Sequence, residues 1–346
     1  MSRTAAEPPA RRTPEHAESV APRRLVSVAT GRLASVVSGS CGAGGSGHSG
    51  WGQRRALWSG AAALLLCAGS ALGLGPSPAV AAPLPGYAHP ALPVPVPPVT
   101  PGGLAGTVVL SNCSGALVRM PHSRPADPAL VLTNGHCLTE RGVPRPGEVV
   151  ADTPSQRTFT LLDVAGRRLG TLRAARLAYA TVTGTDVALY RLGETYADVT
   201  GRYGAQAHAR TLDSERPSAG TRIDIPSSYW KHVYHCAIDG FVPVLREGPW
   251  TMTDSLRYTR SCATVSGTSG APVIERVTGQ VVGVNSTGND EGGRCGVHNP
   301  CEIDAEGAVT VRQGTNYGQQ TYPLTRCVTA GSTVTLEAPG CTLPRP

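Results

Sequence analysis

The chain has 346 residues and a formal net charge of +7 at pH 7, a length that allows one large domain or two smaller ones. Residues 1–81 hold eight arginines and three glutamates, or +5, and the rest holds 23 basic and 21 acidic residues, or +2. Because this balance is nearly even and no basic run is interleaved with aromatic residues, we expect no nucleic-acid partner. Lys231 is the only lysine, which leaves almost no scope for a serine–lysine catalytic pair.

Residues 1–81 have the features of a disordered n-region followed by a signal peptide. The first 53 are rich in Ala, Arg, Gly, Ser and Pro and show no sustained apolar periodicity. Arg54 and Arg55 precede an apolar run through Leu74, and residues 79–81, Ala-Val-Ala, form a small-x-small cleavage site. The paired arginines resemble a twin-arginine signal, with Sec export as the alternative. We expect a secreted, extracellular protein without a stable membrane anchor.

The remaining chain predicts a proline-rich linker at 82–103 and one all-β domain at 104–346. The linker composition favours extended polyproline II without a core. Beyond it, short apolar segments recur between breaks rich in Gly, Pro, Asp and Ser, which indicates a barrel or a sandwich. A break at about 205–220 divides the strands into two sets. The predicted strands are 106–110, 115–120, 129–133, 158–162, 186–192, 221–225, 232–238, 271–274, 280–285 and 333–336.

One heptapeptide, Gly-Thr-Ser-Gly-Ala-Pro-Val at 267–273, places a small hydroxyl residue between two glycines. A serine that attacks a carbonyl needs small neighbours and backbone N–H groups aimed at the oxyanion that forms, and glycine allows the main chain to turn that way. Ser269 is therefore a candidate nucleophile. An ordinary turn that leads into a strand is the alternative.

Two other segments supply suitable partners for this serine. His136 follows an apolar strand and a short turn, so it would be held by a sheet yet remain open to solvent, as a general base requires. Asp186 opens an apolar strand, where its carboxylate could orient an imidazole ring and stabilise the imidazolium. Taken alone, each could be an ordinary surface or turn residue. His136, Asp186 and Ser269 follow one another in the chain at intervals of 50 and 83 residues. This order makes the assignment of all three as catalytic candidates stronger than the assignment of any one of them alone.

Eight cysteines follow the predicted export segment, and this even number predicts four disulfides in an oxidising environment. These residues are Cys113, Cys137, Cys236, Cys262, Cys295, Cys301, Cys327 and Cys341. Zinc binding is the alternative, because His232, His235 and Cys236 lie close together in sequence. No C-x-x-C pair supports a zinc site, so we expect no metal.

Together these segments resemble those of the chymotrypsin-like (trypsin-fold) serine proteases, in particular the secreted bacterial members. The family's Ala-Ala-His-Cys is similar to Asn-Gly-His-Cys at 134–137, and its Asp-Ile-Ala-Leu is similar to Asp-Val-Ala-Leu at 186–189. Its Gly-Asp-Ser-Gly-Gly-Pro is similar to Gly-Thr-Ser-Gly-Ala-Pro at 267–272. Two further segments, 113–118 and 282–288, resemble the family's first cysteine-bearing strand and the strand that pairs with bound peptide.

The resemblance covers about residues 104–325. It implies two six-stranded antiparallel β-barrels, at about 104–205 and 218–340, with the active site in the cleft between them. It also implies a serine endopeptidase that hydrolyses peptide bonds in protein or peptide substrates through a Ser-His-Asp triad and an acyl-enzyme intermediate. We expect a monomer that needs no cofactor.

Residue roles follow from the same resemblance. Ser269 would be the nucleophile, His136 the base and then the acid, and Asp186 the orienting carboxylate. The N–H groups of Gly267 and Ser269 would form the oxyanion hole. Ala263 would lie at the base of the primary pocket, which we therefore expect to be neutral. The resemblance assigns substrate binding to Ala263, Ser286, Thr287 and Gly288, and it also implies that Ser286 hydrogen-bonds near Asp186 as a supporting residue.

The resemblance also pairs Cys113 with Cys137. The other pairs, Cys236–Cys262, Cys295–Cys301 and Cys327–Cys341, follow only from their order in the sequence. Thr268 stands where activated members keep an aspartate for the newly cut N-terminus, so we expect no activation by a buried N-terminal ammonium.

Two other functions remain as alternatives: a catalytically silent binding module on the same fold, and an esterase. An α/β-hydrolase esterase is disfavoured because Ala271 breaks the G-x-S-x-G pattern and the strands do not alternate with helices.

Overall fold

A computed structural model describes residues 103–346 of the chain. The predicted signal peptide at 1–81 and the linker up to residue 102 lie outside the described residues. Among the residues described, no helix is long and apolar enough to span a bilayer.

The first half of the described chain forms a closed six-stranded antiparallel barrel. Its strands are β1 (Thr107–Val109), β2 (Ser114–Arg119), β3 (Pro128–Thr133), β5 (Thr158–Leu162), β6 (Arg168–Thr181) and β7 (Val187–Thr195). They pair in the order β1-β5-β6-β7-β3-β2, and β2 returns to β1 to close the ring. A further strand, β4 (Val149–Pro154), pairs with β6, and the short β8 (Arg210–Thr211) runs parallel to β2. Closure leaves these six strands without a free edge.

The second half of the described chain forms another closed six-stranded antiparallel barrel. Its strands are β9 (Arg222–Ser227), β10 (His232–Glu247), β11 (Trp250–Tyr258), β12 (Pro272–Glu275), β13 (Val281–Gly288) and β16 (Asn316–Gln320). The order is β11-β16-β13-β12-β9-β10, with β10 pairing back to β11, and all of these pairs are antiparallel. Two short strands, β14 (Cys301–Ile303) and β15 (Val309–Thr310), extend the sheet beyond β10. The predicted all-β fold of two six-stranded barrels is therefore confirmed.

Helices are short and lie at the ends of the barrels. One α-helix, α1 (Tyr196–Tyr203), follows the last strand of the first barrel, and Thr195 caps it in a reciprocal capping box with Asp198. A second, α2 (Tyr322–Cys327), follows β16 and leads into the small hairpin of β17 (Val328–Thr329) and β18 (Thr333–Val334). Three-residue 3₁₀ helices occupy Gly135–Cys137, Gly204–Gln206 and Ala330–Ser332.

One of the buried clusters joins the two barrels. It packs Leu132 and Leu189 of the first barrel against Ile274 and Val284 of the second, and the C-terminal segment adds Leu343. All five side chains are buried, so the barrels share apolar surface whose removal from water favours this arrangement. The hydrophobic effect therefore holds the cleft between the barrels in place.

Several strands depart from the sequence prediction. The predicted strands omit three strands of the barrels, β6, β11 and β16, and end β10 too early, at residue 238 instead of Glu247. Two register shifts interrupt the pairing of β6 with β7, and another lies between Ile238 and Gly240 in β10. A bulge inserts an extra residue and shifts the alternation of inward and outward side chains, so the period of two that identifies a strand is lost.

All eight cysteines beyond the predicted export segment form disulfides in the structure. The bonds join Cys113 to Cys137, Cys236 to Cys262, Cys295 to Cys301, and Cys327 to Cys341. This is the expected pairing. The first bond ties the residue before β2 to the turn that carries His136, and the last ties α2 to the C-terminal segment.

Candidate active site

The turn after β3 holds His136 at the edge of the first barrel. Gly135 packs so closely that a Cβ there would lie 2.0 Å from the Thr181 carbonyl oxygen, so only glycine fits. The buried side chain of Asn134 donates to the Asp186 carbonyl oxygen at 2.7 Å. Cys137 anchors the other side of the turn through its disulfide. The His136 backbone is therefore held by a strand, a hydrogen bond and a covalent bond.

Asp186 lies directly before β7 and accepts three hydrogen bonds in a buried position. Its Oδ2 is 2.7 Å from His136 Nδ1 and also accepts the Ser286 hydroxyl at 2.7 Å. Its Oδ1 accepts the backbone N–H of His136 at 3.0 Å. The carboxylate is 1% exposed, so these donors replace the water that it would have in solution. They also fix the plane of the imidazole ring.

The coupled pair shifts both pKa values in favour of the charged forms. Burial lowers the pKa of His136, but the charge and hydrogen bond of Asp186 more than offset this effect, and the pKa lies above its ordinary value. Burial raises the pKa of Asp186, but His136 and the Ser286 hydroxyl lower it more, and the net shift is downward. The site therefore stabilises an imidazolium next to an ionised carboxylate.

A tight turn before β12 carries Ser269. Gly270 has a φ of +83° there, and a Cβ on it would lie 2.1 Å from the Ser114 carbonyl oxygen and 2.2 Å from Thr133 Oγ1. Glycine is therefore required by both conformation and space. The Ser269 carbonyl oxygen accepts the Ser114 N–H at 2.8 Å, and the Gly270 N–H donates to the Asn285 carbonyl oxygen at 2.8 Å. These bonds connect the turn to both barrels.

The Ser269 hydroxyl opens into a cavity of about 340 Å³ that His136 and Asp186 also line. In the structure this hydroxyl donates to the Ser286 carbonyl oxygen at 3.1 Å. Gly267 lines the same cavity with a φ of +89°. Neither the Gly267 N–H nor the Ser269 N–H has a hydrogen-bond acceptor within residues 103–346. Two free backbone donors thus lie beside the hydroxyl, as binding of an oxyanion requires.

The end of β13 contributes an open strand edge to the cavity. Ser286, Thr287 and Gly288 all line it, and β16 covers their other edge through pairs such as Thr287 with Tyr317. On the cavity side, β12 pairs with β13 only as far as Val284. An extended peptide could therefore add a strand at 286–288 through main-chain hydrogen bonds.

The structure does not bring Ala263 into the cavity. Burial alternates along this segment, with Cys262 and Thr264 buried while Ala263 and Val265 are exposed. Cys262 is held inward by its disulfide to Cys236, and this sets the phase of the alternation. Thr264 therefore lines the cavity where the sequence interpretation placed Ala263.

Uncharged polar groups accompany Thr264. Its hydroxyl donates to Asn285 Oδ1 at 3.3 Å, and Asn316 Nδ2 donates to the Cys262 carbonyl oxygen at 2.9 Å. Asn285 and Asn316 both line the cavity.

Sequence reasoning missed two carboxylates in the cavity, Glu247 and Asp290. Glu247 ends β10, and its Oε1 accepts the His298 N–H at 2.8 Å. Burial raises the pKa of Glu247 above its ordinary value. Neither lysine nor arginine is among the described residues that line the cavity. No local motif marks Glu247, because its place in the site depends on where a long hairpin ends.

Metal-ligating groups do not converge at this site. The one cluster of such side chains within residues 103–346 is Cys113, His136 and Cys137. The two sulfur atoms are bonded to each other, so the cluster offers only the imidazole as a free ligand. His235, part of the zinc alternative, pairs through Nδ1 with Asp224 Oδ1 at 2.7 Å.

Thr268 is fully buried, and its hydroxyl has no hydrogen-bond partner in the described part of the chain. A neutral hydroxyl cannot neutralise a buried ammonium group. The expectation that this chain is not activated through its N-terminus stays a prediction, because that terminus lies outside the described residues.

Comparisons with known proteins give one family match and several similar solved structures. Residues 113–284 match the family of trypsin-like peptidase domains. Similar solved structures include the MamO protease domain from Magnetospirillum magneticum, at 14% identity and a TM-score of 0.39, covering 63% of this chain and 92% of that one. The Nocardiopsis protease is similar at 16% identity and a TM-score of 0.37, with coverage of 63% and 90%. A Glu endopeptidase has 16% identity and a TM-score of 0.37, with coverage of 63% and 85%.

No curated protein matches the chain at a significant level. The sequence match at 113–284 spans all three candidate residues and most of both barrels. Residues 113–284 therefore form a trypsin-like peptidase domain, and the described chain has the double-barrel fold of the trypsin-fold serine proteases.

Proposed function

We propose that the chain is a serine endopeptidase in which Ser269, His136 and Asp186 form the catalytic triad. The observation that carries the proposal is the 2.7 Å pair of His136 Nδ1 and Asp186 Oδ2 in the cavity that also receives the Ser269 hydroxyl. A carboxylate that accepts the Nδ1 proton leaves Nε2 as the proton acceptor, which is the tautomer that a general base needs.

The first step begins with rotation of the Ser269 hydroxyl away from the Ser286 carbonyl oxygen. This rotation gives up one hydrogen bond of 3.1 Å and turns the proton toward His136 Nε2. Oγ then attacks the peptide carbon while Nε2 takes the proton, and the carbonyl oxygen becomes an oxyanion. The imidazolium gives its proton to the departing amine, and an acyl-enzyme remains. Water, deprotonated by the same nitrogen, then attacks the acyl carbon. The bond from that carbon to Oγ breaks, the imidazolium returns its proton to Oγ, and the acid leaves.

The free N–H groups of Gly267 and Ser269 would stabilise the oxyanion. They need no reorganisation at the moment of reaction, since neither N–H donates to an acceptor within residues 103–346. The open edge at 286–288 would align the substrate main chain beside Ser269. Protein or peptide substrates in extended conformation therefore suit this site better than compact ligands do.

The four disulfides fit a protein that works outside the cell, because such bonds persist in oxidising compartments. Export by the signal at 1–81, through the Tat or the Sec route, is part of the proposal. N-terminal sequencing of the secreted protein tests it, and a mature chain that still begins before residue 82 would contradict it.

Labelling with a fluorophosphonate probe tests the proposed nucleophile. The folded chain is expected to react at Ser269, because this hydroxyl shares one cavity with a general base and with two N–H donors that lack acceptors within residues 103–346. Mass spectrometry of the digested product locates the label. The heat-unfolded chain serves as the control and should not react. Labelling of another serine, or the absence of any label on the folded chain, would contradict the proposal.

The cavity carboxylate Glu247 should influence the pH profile. His136 must be neutral to accept a proton, so kcat/KM rises as pH rises through its pKa. Asp186 and Glu247 are the charged groups that raise this pKa. Replacing Glu247 with Gln removes one of these charges, so the pKa of His136 should fall and the acid limb should move to lower pH.

The measurement is kcat/KM against pH for the wild-type chain and Glu247→Gln. Glu215→Gln is the matched control, because Glu215 is exposed and does not line the cavity. An acid limb that stays in place, or that moves to higher pH, would show that Glu247 does not act on the base.

A further inference from the structure

The loop between β9 and β10 carries an aromatic pair next to the turn of Ser269. The rings of Tyr229 and Trp230 are T-shaped, with centroids 5.1 Å apart. Trp230 is 52% exposed, so burial of its ring does not explain its position. Its polar atom does have a specific partner: indole Nε1 donates to the Ser266 carbonyl oxygen at 2.7 Å.

This hydrogen bond acts on the peptide unit that contains one of the two free donors. The Ser266 carbonyl and the Gly267 N–H belong to the same peptide plane, and in a trans peptide they point in opposite directions. An indole that holds the carbonyl on its own side therefore turns the N–H to the other side. Gly267 lines the cavity there, and its N–H has no acceptor within residues 103–346.

Gly267 cannot hold this plane by itself. Its φ is +89°, and reversing the preceding peptide plane would change φ by about 180°, to a negative value that glycine adopts just as readily. The reversed plane would direct the Ser266 carbonyl oxygen, instead of the N–H, toward the reacting carbonyl. An outside contact must select between the two orientations.

The next peptide plane, between Gly267 and Thr268, is held by a different contact. Ser114 Oγ donates to the Gly267 carbonyl oxygen at 2.9 Å and accepts the Tyr229 N–H at 3.2 Å. This contact holds the plane between Gly267 and Thr268 and leaves the plane before Gly267 free to turn. Within the described chain, Trp230 provides the only side-chain donor to the Ser266 carbonyl oxygen.

We propose that Trp230 is a positioning residue that orients the Gly267 N–H toward the oxyanion. The proposal rests on the proposed function, because an oxyanion forms only if Ser269 attacks a carbonyl. Trp230 touches no reacting atom and acts through the Ser266 carbonyl. Its effect is expected in the transition state, where charge develops on the oxygen, and not in the binding of the uncharged ground state.

Replacing Trp230 with Phe tests the proposal, because this change keeps an aromatic ring and removes the N–H donor. We expect kcat to fall by about fivefold, the effect of one neutral hydrogen bond on an equilibrium, with KM unchanged. Tyr229→Phe is the matched control: it removes a hydroxyl that makes no hydrogen bond within residues 103–346, and kcat should be retained. An unchanged kcat in Trp230→Phe, or an effect confined to KM, would overturn the proposal.

A crystal structure of Trp230→Phe gives a readout that does not depend on catalysis. The plane before Gly267 is expected in the reversed orientation or in both orientations, whereas a single wild-type orientation would refute the role of Trp230 even in an inactive chain. Failure of the proposed function would instead appear as no fluorophosphonate label on the wild-type chain. If the Phe variant does not fold, benzothienylalanine at position 230 replaces it, since sulfur takes the place of the N–H within a ring of the same shape.

Discussion

Replacing Ser269 with alanine is expected to lower kcat for peptide hydrolysis by roughly 10⁶-fold, down to the residual rate that binding and the oxyanion donors provide. The attacking oxygen is lost, and His136 Nε2, which stays free because Nδ1 is engaged with Asp186 at 2.7 Å, is left with only water to activate. The measurement is turnover of a chromogenic peptide by the purified chain, together with loss of fluorophosphonate labelling.

The fold should survive this change. The Ser269 hydroxyl makes one hydrogen bond, to the Ser286 carbonyl oxygen, so its loss should lower the melting temperature by about 3 °C or less. Ser261→Ala is the matched control, because Ser261 is exposed eight positions earlier and lies off the cavity. Near wild-type turnover in Ser269→Ala would mean that a different group attacks the substrate.

Replacing Asp186 with asparagine is expected to lower kcat by roughly 10⁴-fold near neutral pH while substrate binding is retained. Asp186 Oδ1 accepts the His136 backbone N–H at 3.0 Å, so the amide oxygen of asparagine must take that position. The amide NH₂ then faces His136 Nδ1 and makes it an acceptor. The ring proton moves to Nε2, which can no longer take the proton of Ser269.

A second histidine–aspartate pair offers the matched control for this variant. His235 Nδ1 lies 2.7 Å from Asp224 Oδ1, the same distance as in the active-site pair, and neither residue lines the cavity. Asp224→Asn should leave kcat unchanged. Both variants are measured with the same peptide across a range of pH. An equal loss of kcat in the two variants would point to general destabilisation. A wild-type kcat in Asp186→Asn would exclude the proposal that Asp186 controls the tautomer of His136.

The proposed chemistry could be predicted from the sequence because it constrains residue type over short segments. A nucleophile between glycines, a histidine beside a cysteine and an aspartate at the start of an apolar strand each leave a local pattern. The recurrence of short strands between turn residues also sufficed to predict an all-β fold. The structure agrees with that fold and brings Ser269, His136 and Asp186 to one cavity.

Strand details were less predictable for a physical reason. Bulges in β6 and β10 shift the inward and outward alternation, so the local pattern no longer has a single period. The same limitation affected the pocket. A disulfide between Cys236 and Cys262 sets which residues of the following segment face inward, and this places Thr264 instead of Ala263 in the cavity.

The sequence alone therefore indicated an all-β fold, a trypsin-like peptidase domain and three candidate catalytic residues. Other groups at the site became known only from the three-dimensional fold: Glu247 at the end of a long strand, Thr264 in place of Ala263, and Trp230 against the Ser266 carbonyl. These contacts join positions far apart along the chain. They depend on strand lengths, bulges and barrel closure, so no local run of residues encodes them.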